Sequence, residues 1–79
     1  MNSYKAIKEA ALNKNISIAS IGRAMGKPDN YVSNGASRGS NPQADTLAAM
    51  LEVCGYKLAA IPAEDLPESA LVIDPPTKE

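Results

Sequence analysis

Two asparagines four residues apart, Asn30 and Asn34, are the side chains of this chain whose type and spacing most suggest chemistry. Residues four apart lie on one face of a helix, and asparagine is a poor helix former, so a pair at this spacing needs a reason. A side-chain amide can form two hydrogen bonds to adenine in the major groove of DNA. The pair therefore indicates a surface that can recognise bases, although N-cap or turn chemistry would also explain Asn30.

A short helix is predicted immediately before this pair. Ser17 suits its N-cap, because the hydroxyl can accept a hydrogen bond from an amide of the first turn. Gly26 suits its end, because glycine reaches positive φ without a Cβ clash. Between them lies one apolar face at helical spacing, made of Ile18, Ile21, Gly22 and Met25.

A second short helix is predicted to begin at Pro28 and Asp29, since the fixed φ of proline suits a first helical turn. Val32 and Ala36 would be its buried residues. Gly35 is a local conflict, because a glycine inside a helix costs about 0.5–1 kcal/mol relative to alanine. The side chains predicted to face outward are Asp29, Asn30, Ser33 and Asn34.

Two short helices joined by a glycine turn form a helix-turn-helix, and residues 7–55 resemble the phage Cro and lambda-repressor-like (XRE-type) family. Three features depart from the family pattern. Gly22 replaces the usual alanine at a contact between the two helices that needs only a small residue, Gly35 lies inside the second helix, and the loop to Gly39 is one residue longer than is common. The resemblance is carried by Ile21, Gly22, Met25, Gly26, Val32, Arg38, Gly39, Pro42 and Leu47.

The resemblance implies sequence-specific binding of double-stranded DNA by a homodimer that regulates transcription, of a phage or mobile-element type. Asp29 could instead cap the helix, and Tyr31 could instead pack against the first helix of the chain. On this hypothesis bases are read by Asp29, Asn30, Ser33 and Asn34. The DNA backbone is contacted by Ser17, Lys27, Tyr31, Arg38, Ser40 and Asn41.

Composition and charge agree with a small DNA-binding domain. Residues 1–42 carry six Lys and Arg against two Asp and Glu, a charge of +4, whereas residues 43–79 carry two against seven, a charge of −5. Such asymmetry suggests a polyanion partner for the basic half. The chain has no histidine, and its single cysteine, Cys54, lies on a predicted core stripe. We therefore expect no enzyme activity, no cofactor, no metal and no small-molecule ligand.

The remaining segments complete a mainly α fold of four short helices. Residues 3–14 are predicted to form the first helix, with Ser3 as cap and Tyr4, Ile7, Ala11 and Leu12 on one side. The fourth helix should bury Leu47, Met50, Leu51 and Cys54 and end at Gly55. Without an apolar run of about 20 residues or a signal peptide, the expected location is the cytoplasm and not a membrane.

The C-terminal part is predicted to differ from the helical domain, residues 1–55. Two apolar runs, 56–62 and 70–74, predict a β-hairpin, followed by a frayed tail at residues 75–79. Residues 71–73 are apolar without alternation, so both faces need cover, and a second protomer would supply it. The expected dimer contacts are Leu58, Ile61, Leu71, Val72 and Ile73.

One alternative keeps the fold and changes the function. Residues 28–37 contain no Lys or Arg, the net charge is −1, and a glycine interrupts the second helix of the motif. These features favour a protein-interaction module that no longer binds DNA.

Overall fold

Four α-helices form the N-terminal part of the chain, as the sequence predicts. A computed structural model describes residues 1–75. No helix in this part of the chain has the length and apolar content that a membrane crossing requires. The helices are α1 (Ser3–Asn13), α2 (Ile18–Ala24), α3 (Tyr31–Ser37) and α4 (Ala44–Val53), and a single 3₁₀ turn follows at Ala63–Asp65.

The core is built from one face of each helix. α2 packs against α3, and both α1 and α2 pack against α4. No polar or charged side chain is buried among residues 1–75, so the core is held by apolar contact, which contributes about 1.5–3 kcal/mol for each large side chain fully removed from water. Its largest fully buried side chains are Ile7, Ile21, Val32, Met50 and Cys54.

Two expectations for α1 are wrong. The cap is Asn2 and not Ser3, since the Asn2 side-chain oxygen accepts from the Lys5 amide at 2.8 Å. Leu12 is 74% exposed, whereas Ala10 and Ala11 are buried. The buried face of α1 is therefore formed mainly by small residues, which let α4 approach closely.

The fourth helix ends as predicted. Gly55 has a φ of +77°, and its amide donates to the Glu52 carbonyl at 2.9 Å. The Tyr56 amide donates to the Leu51 carbonyl at 2.9 Å. This pair of bonds is the Schellman arrangement, and it turns the chain back across the core at the end of α4.

The predicted C-terminal β-hairpin is wrong, because no segment of residues 1–75 forms a β-strand. Near the C-terminal end, the backbone bonds to the N-terminus: the Met1 amine donates to the Val72 carbonyl at 3.2 Å, and the Asp74 amide donates to the Met1 carbonyl at 3.0 Å. Residues 57–61 make no backbone hydrogen bond within the described chain. The two apolar runs cover the helical core separately and do not pair with each other.

The five residues expected at a dimer interface divide into two groups. Leu58, Leu71 and Ile73 are partly buried against the core, whereas Ile61 and Val72 are exposed at 45% and 42%. Residues 71–73 were expected to need cover on both faces. In the structure the helical core covers Leu71 and Ile73 in part, and of these three residues only Val72 is left exposed. The predicted frayed tail lies outside the described residues except for Pro75.

Candidate nucleic-acid interface

The N-terminus of α2 is fixed by two serines. The Ser17 hydroxyl oxygen accepts from the Ser20 amide at 3.2 Å, and the Ser20 hydroxyl donates to the Ser17 carbonyl at 2.7 Å. The predicted cap is thus confirmed. Ser17 is exposed, so its hydroxyl proton remains accessible at this end of α2.

The turn between α2 and α3 depends on two glycines. Gly26 has a φ of +74°, a conformation that costs a residue with a Cβ. The amide of Lys27 then donates to the Gly22 carbonyl at 2.9 Å. At Gly22 a Cβ would lie 2.5 Å from the Pro28 carbonyl oxygen, so the return of the chain over α2 requires glycine there. The family pattern predicts only a small residue at this contact.

The second helix of the motif begins later than predicted, at Tyr31 rather than at Pro28 and Asp29. The Pro28 carbonyl accepts from the Tyr31 amide at 3.1 Å, which closes a turn before the helix. Asn30 is the N-cap residue, but its side chain makes no capping bond. Asp29 does not cap either, because its carboxylate lies 3.1 Å from Arg23 Nη1.

Three polar side chains form what we call the outer face of α3. Asn30, Ser33 and Asn34 are exposed, while Val32 and Gly35 are buried beneath them. Within residues 1–75 none of the three side chains hydrogen bonds to another group. Both amides and the hydroxyl therefore keep their full donor and acceptor capacity for a ligand.

Gly35, a local conflict in the sequence, is a contact point in the structure. A Cβ at residue 35 would lie 2.8 Å from Cζ of Tyr4 and nearer still to the Tyr4 hydroxyl oxygen. The phenol of α1 therefore rests directly on the backbone of α3. The position of the outer face of α3 is set in part by this contact.

A lysine and a tyrosine flank the start of α3. The Lys27 ammonium lies 5.7 Å from the centre of the Tyr31 ring, within the range of a cation–π contact. Tyr31 is half-buried, and its Cβ lies beside Gly22 of α2. Tyr31 is thus packed in part against the hydrophobic core, with the positive charge of Lys27 beside its ring at the start of α3.

Beyond α3 the predicted backbone contacts lie together in sequence and are exposed. Arg38 is the C-cap residue of α3. Ser40 donates its hydroxyl to the Gly35 carbonyl at 3.3 Å, so this side chain helps to end the helix. Asn41 is exposed. Among Arg38, Ser40 and Asn41, only Arg38 carries a positive charge that can bind a phosphate.

Arg23 is a further candidate site residue, one that the sequence pattern does not indicate. Its guanidinium and the Asp29 carboxylate form an ion pair, and the two side chains are 57% and 62% exposed. The residues are six apart, a spacing that places them on different faces of a continuous helix. They meet only because the chain reverses at the turn, so helical periodicity carries no signal for this pair.

The titratable groups of the described chain form no cluster of three or more that could hold a metal ion. Burial raises the pKa of the Cys54 thiol. Its position in the core agrees with a packing role.

Comparison of the chain with protein-family models, with curated proteins and with solved structures found no match.

Proposed function

We propose that this protein binds specific sequences of double-stranded DNA through α3 and regulates transcription in the cytoplasm as a phage-type helix-turn-helix regulator. The observation that carries the proposal is the outer face of α3. It presents two amides one turn apart, exposed and without partners in the described chain, on the second helix of a helix-turn-helix. In that motif the second helix enters the major groove, with its N-terminal residues at the base edges.

Charge supports the same orientation. Lys27 stands before α3 and Arg38 at its end, in the half of the chain that carries +4. Phosphate contacts fix register and orientation, whereas base contacts supply specificity. The division between charged ends and a polar, uncharged middle fits that scheme.

The test is selection of bound duplexes from a random-sequence pool by mobility shift. We expect enrichment of an inverted repeat, because each protomer of a homodimer would read one half-site. Each phosphate contact adds about 0.9 to the slope of log K against log salt. Residues 1–42 hold six Lys and Arg in all, so the expected slope is modest, on the order of 3–5 per protomer. A pool that remains random after selection contradicts the proposal.

The homodimer is part of this proposal, with residues 56–74 as its contact. Exposed Ile61 and Val72 lie in this segment, and residues 57–61 leave their backbone groups unpaired within the described chain. Ile61 and Val72 also line one mainly apolar groove of the described chain, and exposed apolar surface of this kind favours association with a second chain. Val72→Lys should yield a monomer in sedimentation without loss of helix content. A dimer that persists in Val72→Lys and Ile61→Lys variants would exclude this contact.

A second candidate, a protein-interaction module that does not bind DNA, has one observation in its favour. α3 carries no Lys or Arg between its ends, and the nearest arginine upstream, Arg23, is neutralised by Asp29. Such a module would show no salt-dependent binding to any duplex.

A further inference from the structure

The ion pair between Arg23 and Asp29 lies at the end of the motif where DNA would be read. Arg23 belongs to the last turn of α2, and Asp29 directly precedes the N-cap residue of α3. The N-terminal residues of the second helix contact base edges in helix-turn-helix complexes. If α3 enters the groove as proposed above, the pair lies at that end of the helix.

The pair leaves most of the arginine available. A guanidinium has five N–H donors, and one nitrogen, Nη1, faces the carboxylate oxygen Oδ2 at 3.1 Å. More than half of the side chain is exposed. The donors that remain on Nε and Nη2 form a planar fork, which suits an acceptor that can take two hydrogen bonds side by side.

The Asp29 carboxylate determines which kind of acceptor Arg23 binds more favourably. A phosphate would bring its negative charge close to Asp29, so repulsion would oppose the contact. Guanine presents two uncharged acceptors, N7 and O6, on its major-groove edge. On this basis we propose that Arg23 reads a guanine and that Asp29 is its positioning residue, rather than a reader of cytosine.

Lys27 differs from Arg23 in its neighbouring groups and in the geometry of its hydrogen-bond donors. Its ammonium stands over the Tyr31 ring, with no carboxylate bonded to it among residues 1–75. It has no planar fork for two parallel bonds. Lys27 therefore serves as the phosphate contact at this end of α3, which leaves Arg23 free for a base.

The experiment uses the full chain and the duplex enriched from the random pool. Each guanine of a half-site is replaced in turn by 7-deazaguanine, which lacks the N7 acceptor. One replacement should weaken wild-type binding by roughly 5- to 150-fold and leave Arg23→Ala binding unchanged. Arg23→Lys should weaken the same preference while it keeps its charge, because lysine lacks the planar fork. Asp29→Ala should reduce the preference, and Arg23→Ala/Asp29→Ala should behave as Arg23→Ala alone.

The matched control is a second exposed ion pair, between Glu52 and Lys57, at the end of α4. Glu52→Ala and Lys57→Ala should leave every duplex affinity unchanged, and thermal melts should show that all variants fold.

Three outcomes overturn the inference while the proposed function stands. If Asp29→Ala loses a base preference that Arg23→Ala retains, Asp29 itself is the reader. If Arg23→Ala weakens all duplexes alike, with a salt slope lower by about 0.9, and Asp29→Ala tightens binding, Arg23 contacts phosphate. If neither variant changes any affinity, the pair does not meet DNA. Failure of the wild-type chain to enrich any duplex would instead remove the proposed function and this inference with it.

Discussion

Replacing Gly35 with alanine tests how α1 holds α3 in place. The added Cβ would lie 2.8 Å from Cζ of Tyr4, closer than two carbon atoms can approach. Alanine gains about 0.5–1 kcal/mol over glycine in a helix, whereas overpacking a core costs about 1–3 kcal/mol. The three atoms that the Cβ would meet lie at the end of the half-buried Tyr4 side chain, which can move aside, so the steric cost falls at the low end of that range. We therefore expect a net loss of about 0–0.5 kcal/mol in the free energy of unfolding, about 1 kcal/mol below the effect of the same substitution without the Tyr4 ring. At about 4–8 °C per kcal/mol for a domain of this size, circular dichroism melts would resolve that difference.

A Tyr4→Leu background isolates the cause. Leucine lacks the three atoms that the new Cβ would meet, namely Oη, Cζ and Cε1 of the tyrosine. In that background Gly35→Ala should stabilise the chain by about 0.5–1 kcal/mol, since only the helix preference remains. Gly22→Ala is the control, because its obstacle is the Pro28 backbone carbonyl at 2.5 Å, which Tyr4→Leu does not remove. A Gly35→Ala effect of the same sign and size in both backgrounds would refute this reasoning.

The remaining predictions concern capping, base reading and burial. Ser17→Ala should lower the free energy of unfolding by about 1 kcal/mol, measured by urea titration, because the Ser20 amide loses its acceptor. Asn34→Ala should cost about 1–3 kcal/mol on the selected duplex and little on random DNA, whereas Arg38→Ala should weaken both alike; an unchanged ratio of the two affinities in Asn34→Ala would contradict base reading by α3. Burial raises the pKa of the Cys54 thiol, so its share of the stability is present at neutral pH and lost as the pH rises through the raised pKa. Urea titrations across alkaline pH should therefore show a smaller decline for Cys54→Ala than for the wild-type chain.

Features that depend on a few neighbouring residues were predictable. The cap at Ser17, the turn at Gly26 and the end of α4 at Gly55 each follow from one residue and the hydrogen bonds it allows within a single turn. The buried stripe of α4 follows from helical periodicity in the same way. Four helices and the exposure of Asn30 and Asn34 could therefore be inferred without any knowledge of the fold.

Features that depend on contacts between distant residues could not be predicted from the sequence. Two apolar runs in the C-terminal part suggested a hairpin, but the partner of residues 72–74 is Met1, more than 70 residues away in sequence. No pattern within the runs distinguishes pairing with each other from pairing with a third segment. The ion pair of Asp29 is a second example, because the carboxylate considered as a cap for α3 bonds instead to Arg23 of α2.

The outer face of α3 depends both on local sequence and on contacts between residues that are distant in sequence, and its proposed function requires the distant contacts. α3 has seven residues, well short of the roughly 12–15 that an isolated helix needs for even marginal stability in water. Its side chains are set by local sequence, but its existence and direction depend on tertiary contacts. Val32 fixes it to the core, Gly35 fits it against Tyr4, and Gly22 lets the chain return over α2. Gly35 weakens α3 as an isolated helix, but in this fold it leaves room for the Tyr4 ring of α1 against the backbone of the helix that carries Asn34.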